Sequence, residues 1–351
     1  MSYLKEVVSM KKFDFPYYLS SFLGKYLPGQ KNASPNTIES YAATFKLLLI
    51  YCQEKEKVKP EHLSLSSIDR DTVIGFLDWI EKERGCTIST RNQRLVPLHS
   101  FFRYVQKESC QNLYEIQKIL SIPNKKGPKT IIPFLTGDEM KILLGQPDTT
   151  SKKGVRDLLL MVVLYDTAAR VQELIDLKIK DVRISNPSVV TLNGKGNKKR
   201  QVPIMDKTKK LLKNYINNQR DSDAISKGDN YLFVNQKKQK LSRWGISYII
   251  NKYVKLAEKD PKFTISFPVT PHVFRHSKSV HLLQSGVNLI YIRDFLGHCD
   301  CSTTEIYARA DTEMKRKAIE AAYSDVLPTK DFPMWAEDTG LMLFLNSLCK
   351  K

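Results

Sequence analysis

Residues 270–309 read TPHVFRHSKSVHLLQSGVNLIYIRDFLGHCDCSTTEIYAR. A helix opens near Pro271, where the fixed φ of proline suits the first helical position, and runs to Ser285, where Gly286 stops it. A second, shorter helix spans about Leu289 to Leu296. His272 and Arg275 are three apart and point the same way, so an imidazole and a guanidinium on one face form a binder for a phosphate. Taken singly, His272 reads equally well as a satisfied core or surface histidine, and His276 and His281 have no evident partner and read as structural. Nine positions after His298 comes Tyr307. A free tyrosine, with a pKa of about 10, is a poor nucleophile. It becomes a useful one where cations stabilise its developing phenolate and the phosphorane-like transition state.

Upstream, Leu158 to Leu177 reads as an apolar helix carrying a polar insertion, TAARVQE, at 167–173. An arginine in an apolar helix is costly to bury without a partner, and Arg170 and Glu173, three apart, share a helical face. The pair is either a structural ion pair or an arginine held by a carboxylate so that its fork grips a phosphate. Ser188–Leu192 and Arg200–Ile204 are strand-like, and NGKGNKK at 193–199 between them is a strong turn signal, which predicts a β-hairpin. Lys195 lies at its tip. Basic turns are common on surfaces, but an ammonium on a two-stranded arm can also reach an active site and donate a proton to a leaving oxygen. Thr136 and Glu139 form a capping-box pattern ahead of the hairpin, and further helices are predicted around 207–218, 243–258 and 311–322.

Taken together, TAARVQEL at 167–174, GKG at 194–196, HVFRH at 272–276, LGH at 296–298 and Tyr307 resemble the tyrosine recombinases of the phage-integrase family in order and spacing. The motifs are individually modest and jointly specific. The resemblance spans roughly Pro16 to Ala322 and implies a mainly α fold with a small β-sheet or hairpin. It implies a helical core-binding (SAM-like) domain followed by an α+β catalytic domain. It implies that Arg170 and Arg275 clamp a scissile phosphate and that Lys195 protonates the 5′-oxygen. His272 would assist proton transfer on the tyrosine side, His298 would hydrogen-bond the phosphate, and Tyr307 would attack. Glu173 matches the acidic position that supports the arginine. A phosphotyrosyl link conserves bond energy, so no ATP, metal or other cofactor is implied, in line with the lack of a P-loop motif. Relatives often carry glycine where this chain has Ala168, a conservative change if the helix is regular there. Lys278 replaces a bulky apolar residue common in relatives and would face DNA or solvent.

The N-terminal part reads as a helical bundle. Ser34-Pro35 opens a helix with Ile38, Tyr41, Phe45, Leu48 and Cys52 on one stripe; a second helix starts near Asp69 and ends at Gly85; a third runs from about Thr87 to Gln106, with a kink expected at Pro97. Arg91, Asn92 and Arg94 on its polar face are candidate DNA contacts. Residues 122–133, IPNKKGPKTIIP, interrupt the periodicity and read as an extended basic linker, with Lys125, Lys126 and Lys129 able to follow a phosphate backbone. The expected division is 12–121 helical domain, 122–133 linker, 134–326 catalytic domain and 327–351 tail. In the tail, Leu341, Leu345 and Leu348 share one helical face that must be covered, either by its own domain or by another subunit.

Composition agrees with this division. At about 150 residues per domain, 351 residues suggest two domains. Lys plus Arg number 56 against 37 Asp plus Glu, a net charge of +19, which points to a polyanion partner, with anionic membrane surface the weaker alternative. The longest apolar run, Leu158 to Tyr165, falls far short of the roughly 20 residues that a membrane-spanning helix needs. Met1 to Lys12 lacks the apolar core of a secretory signal. The six cysteines are scattered, which suits reduced thiols and a cytoplasmic setting; Cys299, Cys301 and His298 lack the further ligand that a structural zinc requires.

The resemblance further implies a homotetramer on two specific double-stranded sites, an exchange of C-terminal segments, a Holliday-junction intermediate and, in some systems, an accessory DNA-bending protein. The last motif block looks like that of integrases and transposases of bacterial mobile elements. Xer-like resolution of chromosome or plasmid dimers is the nearer alternative. A non-catalytic DNA-binding regulator and a type IB topoisomerase are the alternatives from other classes.

Overall fold

A computed structural model describes residues 14–110, 112–128, 132–194, 196, 198–220, 230–297 and 339–348. The chain divides into two compact units, Met1–Thr130 and Ile131–Lys351.

The described part of the first unit is helical. Helix α1 (Phe15–Ser21) runs into a π-helical stretch, Phe22–Gln30, followed by α2 (Pro35–Glu54), α3 (Arg70–Lys82), α4 (Ile88–Glu108) and α5 (Leu113–Leu120). Ser34, Asp69 and Thr87 each accept a hydrogen bond from a backbone N–H of the helix they precede, which fixes three starts where the sequence places them. The interior is built on aromatic edges. Phe101 of α4 meets Phe22 at 5.5 Å and Phe45 of α2 at 5.2 Å, both edge-on. Phe15 of α1 meets the same Phe101 ring edge-on at 5.6 Å, so Phe101 anchors both α1 and the π-helical stretch, which the apolar periodicity does not reveal.

The second unit holds α6 (Gly137–Leu144), α7 (Lys152–Asp166), α8 (Val171–Asp176), the strands β1 (Val182–Arg183), β2 (Val189–Asn193) and β3 (Lys199–Pro203), and α9 (Asp206–Arg220). It continues with α10 (Arg243–Ala257), α11 (Pro271–Gln284), α12 (Leu289–Leu296) and α13 (Thr339–Leu348). The capping box forms as read: Thr136 Oγ1 accepts the Glu139 N–H at 3.3 Å while Glu139 Oε2 accepts the Thr136 N–H at 2.7 Å. The sheet is antiparallel in the order β1-β2-β3, and the hairpin register sets Leu192 opposite Arg200 and Asn193 opposite Lys199. The main core includes Leu160, Leu164, Ile250 and Phe274; a smaller cluster of Ala168, Val280, Leu283, Ile292 and Leu296 binds α11 to α12. Among the described residues, no helix is long and apolar enough to cross a membrane.

The structure corrects one reading that matters for the site. Leu158 to Leu177 is not one helix: α7 ends at Asp166 and α8 begins at Val171. Ala168, between them, has a φ of 46°, in the left-handed region. The apolar pattern conceals the break because Ala168 and Ala169 are both buried. The change from glycine to Ala168 therefore falls on a left-handed residue, not on a regular helix.

Candidate active site

The turn between α7 and α8 presents Arg170. This residue is the N-cap of α8, and its backbone N–H donates to Glu173 Oε2 at 2.8 Å. Its Nη1 donates to Glu173 Oε1 at 2.9 Å, and its Nη2 lies 3.4 Å from the Gly297 carbonyl. Arg170 and Glu173 are thus joined across a helix start, not along a shared helical face. The Arg170 side chain keeps 34% exposure while Glu173 keeps 3%, so the arginine is available to a ligand and the carboxylate is its buried support.

Arg275, on α11, is 4% exposed. Its Nη1 donates to the Ala168 carbonyl at 2.7 Å and its Nη2 to the Leu296 carbonyl at 2.6 Å. Two arginines from different elements thereby reach consecutive carbonyls, 296 and 297, at the end of α12. His272 stands one turn before Arg275 on the same helix. Burial first, then the charges of Arg275 and Arg170, push His272 below its ordinary value. The His276 ring stacks on it at 6.3 Å and is pushed down to about 4, by burial first and then by His272 and Arg275. Both imidazoles are neutral at pH 7, so His272 is able to accept a proton.

The sequence reading missed Arg200. It grips Glu173 with two parallel bonds, Nη1 to Oε1 and Nη2 to Oε2, both 2.8 Å, and its Nε donates to the Phe295 carbonyl at 3.1 Å. Burial alone would raise the Glu173 carboxyl, but the bonds and charge of Arg200 with the bonds from Arg170 outweigh it and hold Glu173 below its ordinary value. Arg170, Arg200, Arg275, Glu173 and neutral His272 together are net positive, as an anion site requires.

Residues 133–314 match the phage integrase family, and residues 20–109 match the N-terminal SAM-like domain found with it. The chain belongs to the phage integrase family. The integrase/recombinase y4rC of Sinorhizobium fredii is 34% identical over 332 residues, 94% of this chain and 97% of y4rC. The tyrosine recombinase XerC of Pelotomaculum thermopropionicum is 30% identical over 310 residues, 87% of this chain and 97% of XerC. The crystal structure of the XerH site-specific recombinase bound to difH substrate, a pre-cleavage complex, aligns at 25% identity with a TM-score of 0.63, over 87% of this chain and 85% of XerH. It is therefore a tyrosine recombinase by family, with the mainly helical fold and small sheet expected.

Lys195, His298 and Tyr307 lie outside the described residues, as do Lys129, the helix read at 311–322 and the tail before α13. Gly194 and Gly297, which directly precede Lys195 and His298, are described. A Cβ on Gly194 would lie 3.4 Å from Glu173 Oε1, and one on Gly297 would lie 3.0 Å from Arg200 Cδ. Both loops therefore begin against the arginine cluster.

The residues read as DNA contacts on α4 are occupied in other ways. Arg91 is 4% exposed and donates to the Pro123 carbonyl, so it is interior and not on the polar face expected. Asn92 bonds both the N–H and the carbonyl of Lys125, and Arg94 donates to buried Thr44 at 3.1 Å. The start of the basic segment is laid along α4, with Ile122 in the core and the Lys125 ammonium 2.7 Å from Glu81. Lys126 is exposed. Lys278, expected to face DNA or solvent, instead pairs with Asp166 at 3.5 Å and lies over the Tyr165 ring. His281 also has a partner: its Nδ1 is 2.8 Å from the Tyr165 hydroxyl.

Proposed function

We propose that this chain is a site-specific DNA recombinase of a bacterial mobile element, working through a 3′-phosphotyrosyl link on Tyr307. The observation that carries the reading is the convergence of Arg170 and Arg275 on carbonyls 297 and 296, directly before His298 in the sequence. Two guanidiniums held there can contact the non-bridging oxygens of one phosphodiester.

The tyrosine hydroxyl attacks phosphorus and gives its proton to neutral His272. The bond to the 5′-oxygen breaks, and Lys195 supplies the proton that leaves a free 5′-hydroxyl. His298 hydrogen-bonds a phosphate oxygen. Attack by the 5′-hydroxyl of the other duplex reverses the chemistry, and two successive exchanges pass through a Holliday junction. The number of phosphoester bonds is unchanged, so the cycle needs no ATP.

The reading includes the domain division at 122–133, a duplex held by both domains and a homotetramer on two sites. Helix α13 supports the last: Leu343, Phe344 and Leu348 are 73%, 58% and 64% exposed, an apolar face suited to a second copy of the chain.

The test uses DNA from the ends of the encoding element, nicked near candidate cleavage points so that cleavage traps the enzyme. A detergent-stable adduct with wild type that is lost in Tyr307→Phe supports the reading. Tight, specific binding without an adduct would make the chain a regulator. The second reading is Xer-like dimer resolution, and it rests on the 30% identity to a tyrosine recombinase XerC over 97% of that protein's length. Adducts formed on a dimer-resolution site and not on element ends would establish it.

A further inference from the structure

Arg200 touches three parts of the site at once. It sits on β3 opposite Leu192, so its backbone belongs to the hairpin that leads to Gly194 and Lys195. Its guanidinium holds both oxygens of Glu173, the carboxylate that bonds the backbone and side chain of Arg170. Its Nε bonds the Phe295 carbonyl, and its aliphatic stem passes so close to Gly297 that a Cβ there would meet Cδ at 3.0 Å. With φ at 64°, Gly297 is left-handed as well, so glycine is required at that position twice over.

The place of Arg200 does not suit a phosphate contact. Its side chain is 12% exposed and both its Nη groups bond the Glu173 carboxylate, which answers its charge, whereas those of Arg275 bond neutral carbonyls. Its nitrogens are spent on protein groups from two other elements: Glu173, which holds Arg170, and the Phe295 carbonyl, three residues before His298 in the sequence. We propose that Arg200 is a positioning residue for the leaving-group side of the reaction. It fixes the root of the hairpin tip against the Arg170 turn and the end of α12, so that the proton donor and the phosphate clamp keep one register. This inference rests on the reading of Lys195 as proton donor.

A lysine at 200 keeps the charge but cannot bond two oxygens and a third carbonyl in one plane. The experiment compares the full-length wild type with Arg200→Lys on two nicked substrates. One has the ordinary 5′-oxygen at the scissile phosphate. The other has a bridging 5′-sulfur, which leaves as a thiolate and needs no proton at pH 8. The proposal expects adduct formation by Arg200→Lys to fall at least about 30-fold on the oxygen substrate and to return to within about threefold of wild type on the sulfur substrate. The ratio of the two rates within one preparation does not depend on the fraction of folded enzyme. Arg200→Gln gives the same ratio test if the lysine variant does not fold.

An equal loss on both substrates would overturn the proposal, since Arg200 would then serve the phosphate clamp or the fold alone. So would an unchanged rate on the oxygen substrate. Wild type lacking any adduct on either substrate would instead refute the recombinase reading, which keeps the two failures apart.

Discussion

The Arg275 guanidinium donates to the Ala168 carbonyl at 2.7 Å, and Ala168 aims that carbonyl from a left-handed φ of 46°. The second arm of the same fork reaches the Leu296 carbonyl at 2.6 Å, so one side chain ties the α7–α8 turn to the end of α12. Planarity is essential, because a lysine offers a point charge on a flexible stem. Arg275→Lys should lower adduct formation on nicked DNA by roughly 100-fold or more, the scale seen when one aimed donor is removed from a developing charge. Affinity in a mobility-shift assay should change by less than about tenfold, since most binding energy comes from other phosphates. A cleavage rate equal to wild type would remove Arg275 from the site.

The same turn gives a stability prediction with two opposing terms. A left-handed alanine costs roughly 1 kcal/mol, and glycine would relieve it. Ala168 is also fully buried against Val280 and Leu296, and deleting its methyl forfeits about 0.8 kcal/mol. Ala168→Gly should therefore shift denaturant stability by less than about 0.5 kcal/mol in either direction, the difference of those terms with its uncertainty. Ala168→Val combines a β-branched residue at positive φ with an overfilled site and should cost at least about 2 kcal/mol. A stable valine variant would mean that the turn is not left-handed.

Much of this site is legible without coordinates because its signals are local. Pro271, Gly286 and Gly297 punctuate α11 and α12, and the glycines between 193 and 199 mark the hairpin. Arg200 is not legible. It opens the strand-like run 200–204 directly after Lys198 and Lys199 of the turn, where no local signal sets it apart, and only the folded hairpin brings it onto Glu173, 27 residues away in sequence. Arg91 misleads in the opposite direction: its spacing puts it on a polar face, but the returning chain at Pro123 covers it. Strand β1 is too short, at 2 residues, to give a period.

The histidines predict a pH dependence with a definite sign. His276 is held at about 4 in the folded protein, below the ordinary value of about 6.5. Between those values the unfolded chain takes up a proton that the folded chain refuses. The stability linked to His276 is complete above pH 6.5 and is lost as pH falls toward 4. Thermal melts should show a lower midpoint at pH 5 than at pH 7, and His276→Asn should reduce that drop. His272, also shifted down, stays neutral from pH 7 to 8, so adduct formation should be flat across that range and fall on the acid side. A rate that climbs tenfold per unit between pH 7 and 8 would show that some other group takes the tyrosine proton.

Lys125 and Lys126 are neighbours in the basic segment, yet they should respond differently to salt. Lys125 has its ammonium 2.7 Å from Glu81 and 3.7 Å from Asp78, so part of its charge is already answered within the protein. Lys126 is exposed. Each phosphate neutralised on duplex DNA contributes about −0.9 to the slope of log affinity against log salt. Lys126→Gln should make that slope shallower by nearly this amount, with the loss of affinity largest at low salt. Lys125→Gln should change the slope by less than half as much, because its ammonium is already answered by Glu81 and Asp78 and so displaces fewer counterions from the DNA. Slopes measured by fluorescence anisotropy between 50 and 300 mM KCl decide the matter. Equal slopes for the two variants would mean that the Glu81 pair opens on binding and that both lysines reach phosphates.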